Sequence, residues 1–444
     1  MNSNYLCTMR KEIEQLVAPL GITVLTPIQE EALAQFKNYR ETILYAPTGT
    51  GKTLAFLLPL VELLRSESAT DGVRALILSP TRELATQIES VFKSLKTEFG
   101  ITACYGGHSL QSEKNNLASN PAVVVGTPGR LVDHIEREHL NLNGVQFFIV
   151  DEFDKCLEMG FQEEISAIFK EMGNLNKLIF GSATKMHQFP DFIPLSNPIF
   201  IDRTQQDDQP DITLYGIKTI GDKLDTFKHL ASQFHQERII IFCNFREDVE
   251  DISAFLKEQN MAVAAYHGGL EQDERERALI KFRNNTSPIL VCTDIGSRGL
   301  DIPEVKHIIH ANLPDKLDAF IHRNGRTGRM TENGSAYVFL EDIKRAKFEV
   351  PSTQNFEIET HHKYVHPGWT TLYFSGGKKN KINKIDLFGF LCKQGELTKE
   401  EVGVIAVLDY TSYASVKSKD VKSLLNKLRS AKVKGQKLKI DVAY

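Results

Sequence analysis

Two short segments of this chain carry the residue types that phosphate chemistry needs. APTGTGKT (Ala46 to Thr53) follows the apolar run TILYA and opens the helix-period stretch LAFLLPLVELL. Glycines in such a turn let backbone N–H groups approach phosphate oxygens. Thr48, Gly49, Thr50 and Gly51 form the cradle, Lys52 neutralises the β and γ phosphates, and the Thr53 hydroxyl is a candidate magnesium ligand. In VDEFD (Val150 to Asp154) an acidic pair ends a second apolar run. Asp151 is suited to holding magnesium through water, and Glu152 to orienting and deprotonating an attacking water. Met alone, such a pair is often a solvated turn. With a phosphate cradle upstream, magnesium-assisted hydrolysis of a nucleoside triphosphate is the better reading. One departure stands out: Ala46 occupies the position where the general loop pattern has its first glycine.

These groups need a scaffold that delivers them to one place. Near-continuous β-branched runs recur at 42–46, 75–79, 122–126, 147–151, 178–182, 239–243, 289–293, 307–311 and 336–340, each followed by a cluster of Gly, Thr, Asp or Arg and then a helix-period segment. Such runs read as parallel strands buried on both faces by crossover helices, the α/β class. Ligands bind such sheets at the carboxyl ends of the strands, where the polar clusters fall. A polar stretch at 204–211 reads as a linker between domains 1–203 and 212–350, and 351–367 as a second linker. Beyond it, 372–377, 402–409, 412–418 and 437–444 read as strands and 423–430 as a helix, so 368–444 forms a small α+β module.

Composition narrows the class. The chain has 444 residues, 41% hydrophobic and 25% charged, enough for two or three domains. No run reaches the roughly 18 apolar residues of a membrane span, and the amino terminus lacks signal-peptide order, so no membrane role and a cytoplasmic address are expected. The six cysteines stand singly without a CxxC pair, which argues against zinc knuckles and suits buried thiols in a reducing compartment. The net charge of −4 is unevenly spread: residues 366–444 hold 15 Lys and Arg against 7 Asp and Glu, a net +8, leaving −12 on the rest. A basic tail on an acidic body points to a polyanion-binding module.

TPIQ (Thr26 to Gln29), APTGTGKT, PTRELATQ (Pro80 to Gln87), Gly106–Gly107, TPGR (Thr127 to Arg130), DEFD, SAT (Ser182 to Thr184), TDIGSRGLD (Thr293 to Asp301) and HRNGRTGR (His322 to Arg329) resemble the motifs of DEAD-box RNA helicases, in their order. The likeness covers about residues 20–340 and implies two tandem RecA-like domains that hydrolyse ATP on RNA. Phe153 stands where the family has Ala, and the sequence offers no account of it. The resemblance assigns Gln29 to the adenine edge. Tyr5 is either the upstream aromatic that stacks on the base or an exposed terminal tyrosine. It makes Arg326 and Arg329 arginine fingers from the second domain, a contribution on the order of a thousandfold or more in rate. Asp301 is implied to meet ribose and phosphate, and Asp154, Ser182, Thr184 and His322 to relay hydrolysis to domain closure. Thr81, Arg82, Gly107, Thr127, Gly129 and Arg130, with Thr293 and Gly296, are implied to hold the RNA backbone on the opposite rim of the sheets, with little sequence readout.

The tail (372–392, 402–418 and 432–442) resembles the RNA-binding domain of DbpA-type helicases, an RRM-like fold that directs them to a hairpin of large-subunit ribosomal RNA. Lys378, Lys379, Lys381 and Lys384 then offer cations to phosphate from a loop after its first strand. Tyr373 and Tyr413 either stack on bases or pack the sheet. The histidines His361, His362 and His366 read as linker rather than as a metal site. Two other readings stay open: an RNA clamp or scaffold with little turnover, against which intact Glu152, Arg326 and Arg329 speak, and a DNA-acting helicase on the same fold. The expected partner is RNA, ATP and Mg2+ are the expected cofactors, and a monomer is expected.

Overall fold

A computed structural model describes residues 11–443 apart from 48, 67–71, 108, 174, 187, 194, 205–211, 236, 295–304, 329–333 and 418–419. The expectations for Tyr5, Thr48, Gly296, Asp301, Arg329 and nearly all of the 204–211 linker therefore lie outside the described residues. The chain divides into two compact units, one built on the first sheet and one holding the second and third.

The first sheet comprises β1 (Glu41–Tyr45), β2 (Ala75–Leu78), β3 (Ile101–Cys104), β4 (Val123–Gly126), β5 (Phe147–Val150), β6 (Lys177–Ser182) and β7 (Ile199–Asp202). All pair in parallel, in the order β3-β4-β2-β5-β6-β1-β7. Side chains alternate across each strand, so Leu44 packs into one core and its neighbours Ile43 and Tyr45 into the other. That double burial is why the runs contain so few polar residues.

The second sheet has β8 (Ile212–Ile217), β9 (Ile239–Cys243), β10 (Val263–Tyr266), β11 (Ile289–Thr293), β12 (His307–His310), β13 (Gly334–Phe339) and β14 (Gln354–Asn355). Its order, β10-β11-β9-β12-β13-β8-β14, repeats that of the first strand for strand, again wholly parallel. The segment 351–367, expected as a linker, is more than a connector: β14 lies in it, and Phe356, Ile358 and Tyr364 pack on the core of the second sheet. The Tyr364 hydroxyl also accepts the Ala262 N–H at 3.2 Å.

The third sheet, β16-β17-β15-β18, is antiparallel and built from β15 (Thr370–Phe374), β16 (Val402–Val407), β17 (Ser412–Val416) and β18 (Ile440–Val442). Leu372, Phe374, Ala414 and Val416 turn one face onto the helices Lys384–Gln394 and Val421–Ser430. The first of these helices was not anticipated, and Lys384, expected in a loop, is its first residue. Asn383 caps it by accepting the Asp386 N–H at 2.9 Å, while Asp386 returns the bond to the Asn383 N–H at 3.0 Å. Among the described residues no helix is long and apolar enough to cross a membrane.

Candidate active site and RNA interface

The expected phosphate cradle emerges from β1. Ala46 is fully buried and its N–H bonds to the Ser182 carbonyl at 3.1 Å, extending the strand pairing by one residue. Its φ is not among the positive ones, so the usual glycine is dispensable there. Gly49 and Gly51 differ, with φ of +89° and +90°, where a side chain would be strained. Lys52 opens the helix Lys52–Ser66 and is buried, and its Nζ has no hydrogen-bond partner among the described residues. A buried ammonium left without an acceptor is costly unless an anion arrives.

Gln29, also buried, sits directly on this loop. Its Nε2 donates to the Gly51 carbonyl at 3.2 Å and its Oε1 accepts the Thr26 N–H at 3.0 Å, while the Thr26 hydroxyl donates to the Thr50 carbonyl at 3.1 Å. A primary amide has two N–H donors and two acceptor lone pairs. One of each is left at Gln29, the pair that an adenine edge can use. The same packing fixes Gly51, since a Cβ there would lie 2.3 Å from the Gln29 Nε2.

Asp151 and Glu152 follow β5, two strands from β1 in the sheet. Burial pushes the Asp151 carboxyl up to about 7; nearby Lys52 opposes the shift and Glu152 adds to it. Glu152 has left-handed φ and ψ of 48° and 50° and stands at the start of the helix Phe153–Glu158. A non-glycine residue in that region costs on the order of 1 kcal/mol, a strain that clusters at functional sites. The Thr53 hydroxyl and the Asp151 carboxylate are hard oxygen donors, and burial disfavours a lone negative charge on Asp151, a set that fits a magnesium ion.

The residues expected to form a relay in the first domain meet directly. The Thr184 hydroxyl donates to Asp154 at 2.8 Å, and the Ser182 hydroxyl donates to the Thr184 carbonyl at 2.6 Å. Behind them Phe153, wholly buried, lies with its ring centroid 4.9 Å from Phe180 on β6 and stacks on Phe189 at 5.8 Å. The unexplained aromatic thus ties DEFD to the segment after SAT. Phe180 was legible as a core residue, whereas the position of Phe189 was not.

The candidate RNA residues are gathered at the ends of β2, β3 and β4. Thr81 caps the helix Arg82–Ser94, accepting the Leu84 N–H at 3.2 Å. Arg82 lies over Gly106, where a Cβ would be 3.1 Å from its guanidinium. Gly107 has a φ of +88°. Thr127 starts the helix Pro128–Glu136, which carries Gly129 and Arg130, and Arg130 pairs with Glu113 at 3.2 Å and with Asp133 at 3.3 Å. The expectation of an opposite rim is corrected here. In an all-parallel sheet every strand ends at the same edge, so these residues share the edge of the phosphate cradle. The strand order separates the two groups: β3, β4 and β2 carry the RNA candidates, and β5, β6 and β1 the nucleotide ones.

In the second domain Thr293 ends β11, while His322 lies buried on the helix Leu317–Asn324 with Arg326 just beyond it, also buried. A residue to which no role was given is central there. Arg323 donates to Asp294 with Nε at 2.6 Å and Nη2 at 2.8 Å, to the Asn312 carbonyl at 2.7 Å and to Asn244 at 2.8 Å. Its place in HRNGRTGR was visible, but its partners come from three other strand ends.

The DEAD/DEAH box helicase family matches residues 26–191 and the helicase conserved C-terminal domain residues 222–331. The DEAD-box ATP-dependent RNA helicase RhpA of Helicobacter pylori is 33% identical, over 79% of this chain and 73% of its own. The chain belongs to the DEAD-box RNA helicase family. The ATP-dependent RNA helicase DbpA of Bacillus subtilis is 28% identical over 97% of both chains, and the DbpA RNA binding domain family matches residues 371–442. Dbp5 of S. cerevisiae, in a structure bound to RNA and ADP BeF3, superposes with a TM-score of 0.66 at 25% identity, over 79% of this chain and 94% of that one. This chain is accordingly an RNA-dependent ATPase and RNA helicase.

The helicase's C-terminal module uses its sheet in one of the two ways left open. Tyr373 and Tyr413 are cross-strand neighbours with centroids 5.7 Å apart, yet Tyr413 is only 5% exposed and packs with Ala443 against Ile280, on the second domain's helix Gln272–Arg283. Thr371 on the same face meets Thr286 at 2.7 Å and Asn284 at 3.3 Å, and Ser415 donates to the Asn284 carbonyl at 3.3 Å. Tyr413 is therefore a packing residue. Lys378, Lys379, Lys381 and Lys384 remain exposed, and none forms an ion pair with another described residue. Gly377 holds the lysine turn in place: a Cβ there would lie 2.2 Å from the Leu408 carbonyl, and the Lys378 N–H donates to that carbonyl at 2.8 Å.

Proposed function

We propose that this helicase acts locally on ribosomal RNA during large-subunit assembly in the cytoplasm, as a monomer directed by its C-terminal module. The observation that carries the target is the set of exposed lysines Lys378, Lys379, Lys381 and Lys384, without an ion pair among the described residues, on a module of the DbpA RNA-binding type. Clustered cations that meet no carboxylate are disposed to phosphate. The proposed domains are 1–203, 212–350 and 368–444.

In the proposed cycle Lys52 and the cradle from Thr48 to Thr53 hold the β and γ phosphates, and Gln29 offers its remaining donor and acceptor to adenine. Thr53 and Asp151 would hold magnesium, partly through water. When bound, the ion would supply positive charge to offset that of the phosphates. Glu152 orients the attacking water and takes its proton, and Arg326 and Arg329 supply cations to the charge that develops on the γ-phosphate. Asp301 meets the ribose and phosphate. Asp154, Ser182, Thr184 and His322 couple turnover to closure. Thr81, Arg82, Gly107, Thr127, Gly129, Arg130, Thr293 and Gly296 grip the RNA backbone, so RNA and ATP each tighten the binding of the other.

Steady-state ATP hydrolysis by the full chain tests this, measured with no nucleic acid, with generic RNA, with DNA, and with a large-subunit ribosomal RNA fragment bearing the candidate hairpin. Lys378, Lys379, Lys381 and Lys384 are then replaced together by alanine. Substitution is preferable to removing 368–444, which would strip the cover from Ile280 and Asn284. Stimulation by the fragment that drops to the generic level in the lysine variant supports the reading. Equal stimulation by every RNA, unchanged by the substitutions, removes the ribosomal target and leaves a general RNA helicase.

A further inference from the structure

One buried carboxylate in the first domain has no part in the nucleotide chemistry. Glu113, on the helix Leu110–Leu117, is almost wholly buried. Its Oε1 accepts the Tyr105 N–H at 3.0 Å, immediately before Gly106 and Gly107. Its Oε2 takes His134 Nε2 at 2.8 Å and lies 3.2 Å from Arg130 Nε, both on the helix that begins at TPGR. A carboxylate only accepts, so a neutral His134 carries its proton on Nε2 and presents Nδ1 as an acceptor to His139, 3.3 Å away.

Cys104, Glu113 and His134 also bring ligand atoms within 4.8 Å of one another, the spacing of a metal site. The cation's place is already taken, because the Arg130 guanidinium pairs with the same carboxylate oxygen that receives His134. Burying a carboxylate is costly and is offset only by several good hydrogen bonds and a countercharge. Glu113 has both, and they come from the two segments whose spacing would determine how a sugar-phosphate backbone is met. Arg82 over Gly106 draws the third candidate segment into the same cluster.

We propose that Glu113 is a positioning residue for RNA: it locks the Gly106–Gly107 turn to the TPGR helix and aims Arg130 at phosphate, without touching RNA itself. This rests on the reading of Gly107, Thr127, Gly129 and Arg130 as RNA contacts. It predicts that Glu113 acts through Arg130 and shows in RNA affinity rather than in turnover.

The test uses the full chain with a labelled single-stranded oligouridylate, measuring both its affinity in the presence of a non-hydrolysable ATP analogue and its stimulation of ATP hydrolysis. Glu113→Gln, Arg130→Ala and the double variant are compared, with thermal unfolding as a check. Glu113→Gln should raise the RNA concentration for half-maximal stimulation about tenfold, while the rate at saturating RNA changes less than twofold; the double variant should match Arg130→Ala alone. Additive losses in the double variant, or a lower saturating rate at unchanged RNA affinity, overturn the proposal. If Arg130→Ala leaves RNA affinity untouched, the RNA-contact reading fails and the positioning role with it; if only Glu113→Gln is silent, the positioning role alone fails. Should Glu113→Gln not fold, Glu113→Asp, which keeps the charge but shortens the reach, enters the same cycle.

Discussion

The first two domains share one strand order and differ at the edge where chemistry is done. At the ends of β1 and β5 the first leaves a buried ammonium without an acceptor among the described residues, Lys52, and a carboxyl raised by burial, Asp151, beside the strained Glu152. At the ends of β9, β11 and β12 the second gathers Asn244, Asp294 and Asn312 around its own arginine, Arg323. One scaffold thus gives an edge whose charges await a ligand and another whose charges answer each other. Fold alone does not choose between them; the residues at the strand ends do.

The sharpest way to break that contrast is to remove the cation from each edge. Lys52→Ala should cut ATP turnover by a hundredfold or more without lowering the melting temperature, because an unpaired buried charge is lost with the phosphate contact. Arg323→Ala should do the opposite in kind. It takes the guanidinium away from Asp294, Asn244 and Asn312 and should destabilise the second domain by about 3–5 kcal/mol, since breaking a buried pair costs more than the pair gives. Denaturant unfolding and steady-state ATP hydrolysis on both variants decide this. A Lys52 variant that melts early would show that the two edges are not so different.

Next in size is Phe153. Replacing it by alanine, as the family pattern has it, should cost about 3–4 kcal/mol, because Phe180 and Phe189 lose their common neighbour and a cavity remains. Turnover per folded molecule should survive, since no polar partner of Asp151, Glu152 or Asp154 is touched. Denaturant unfolding gives the first quantity and hydrolysis normalised to folded protein the second. A stability loss under about 1 kcal/mol would mean that the aromatic cluster repacks around the gap.

A smaller effect separates the domains by pH. His310, buried on β12 against Phe320 and hydrogen-bonded to Asn324 at 2.9 Å, is pushed down to about 3 by burial, with Arg323 adding to the shift. Its folded value lies below the unfolded one of about 6.5, so its contribution is fully present above that pH. Stability is then lost as pH falls from about 6.5 toward 3, at about 1.4 kcal/mol per pH unit, or roughly 3 kcal/mol by pH 4.5. His310→Gln should flatten this dependence in the second domain's unfolding between pH 7 and 4.5. An unchanged slope would assign the acid sensitivity to other groups.

Much of this was legible in the sequence. The motifs stand in order, and every β-branched run that the sequence marks as a strand overlaps one. Five strands escaped: β3 and β10 (ITAC and VAAY) are short and lean on Thr, Ala and Cys, β7 and β8 carry partly exposed residues beside the 204–211 stretch, and β14 is two exposed residues inside the stretch expected as a linker. At the site, residue types were readable but partners were not. Nothing local links Glu113 to residues eight positions before it and seventeen and twenty-one after it; only the adjacency of β3 and β4 does. Phe153 was a departure from pattern until Phe189 was seen stacked on it. The rim assignment failed because it followed the ligands rather than the strand direction.

The smallest expected effect concerns the third sheet, whose outer face turns a potential stacking surface into a seam with the second domain. Tyr413 loses most of its exposure to Ile280 and Ala443, while Thr371, Asn284, Thr286 and Ser415 add neutral hydrogen bonds at about 1 kcal/mol each at most. Tyr413→Ala should therefore weaken the seam by about 1–3 kcal/mol without unfolding either side, because the module's own core lies on the opposite face of its sheet. Hydrogen exchange is the suitable readout. Amides of β15, β17 and the helix Gln272–Arg283 should lose protection together, while those of the helix Lys384–Gln394 keep theirs. If instead Tyr413→Ala left the seam protected and abolished RNA binding by the module, the tyrosine would be a base-stacking residue after all, and the third sheet would have to be counted with the first as an edge that awaits its ligand.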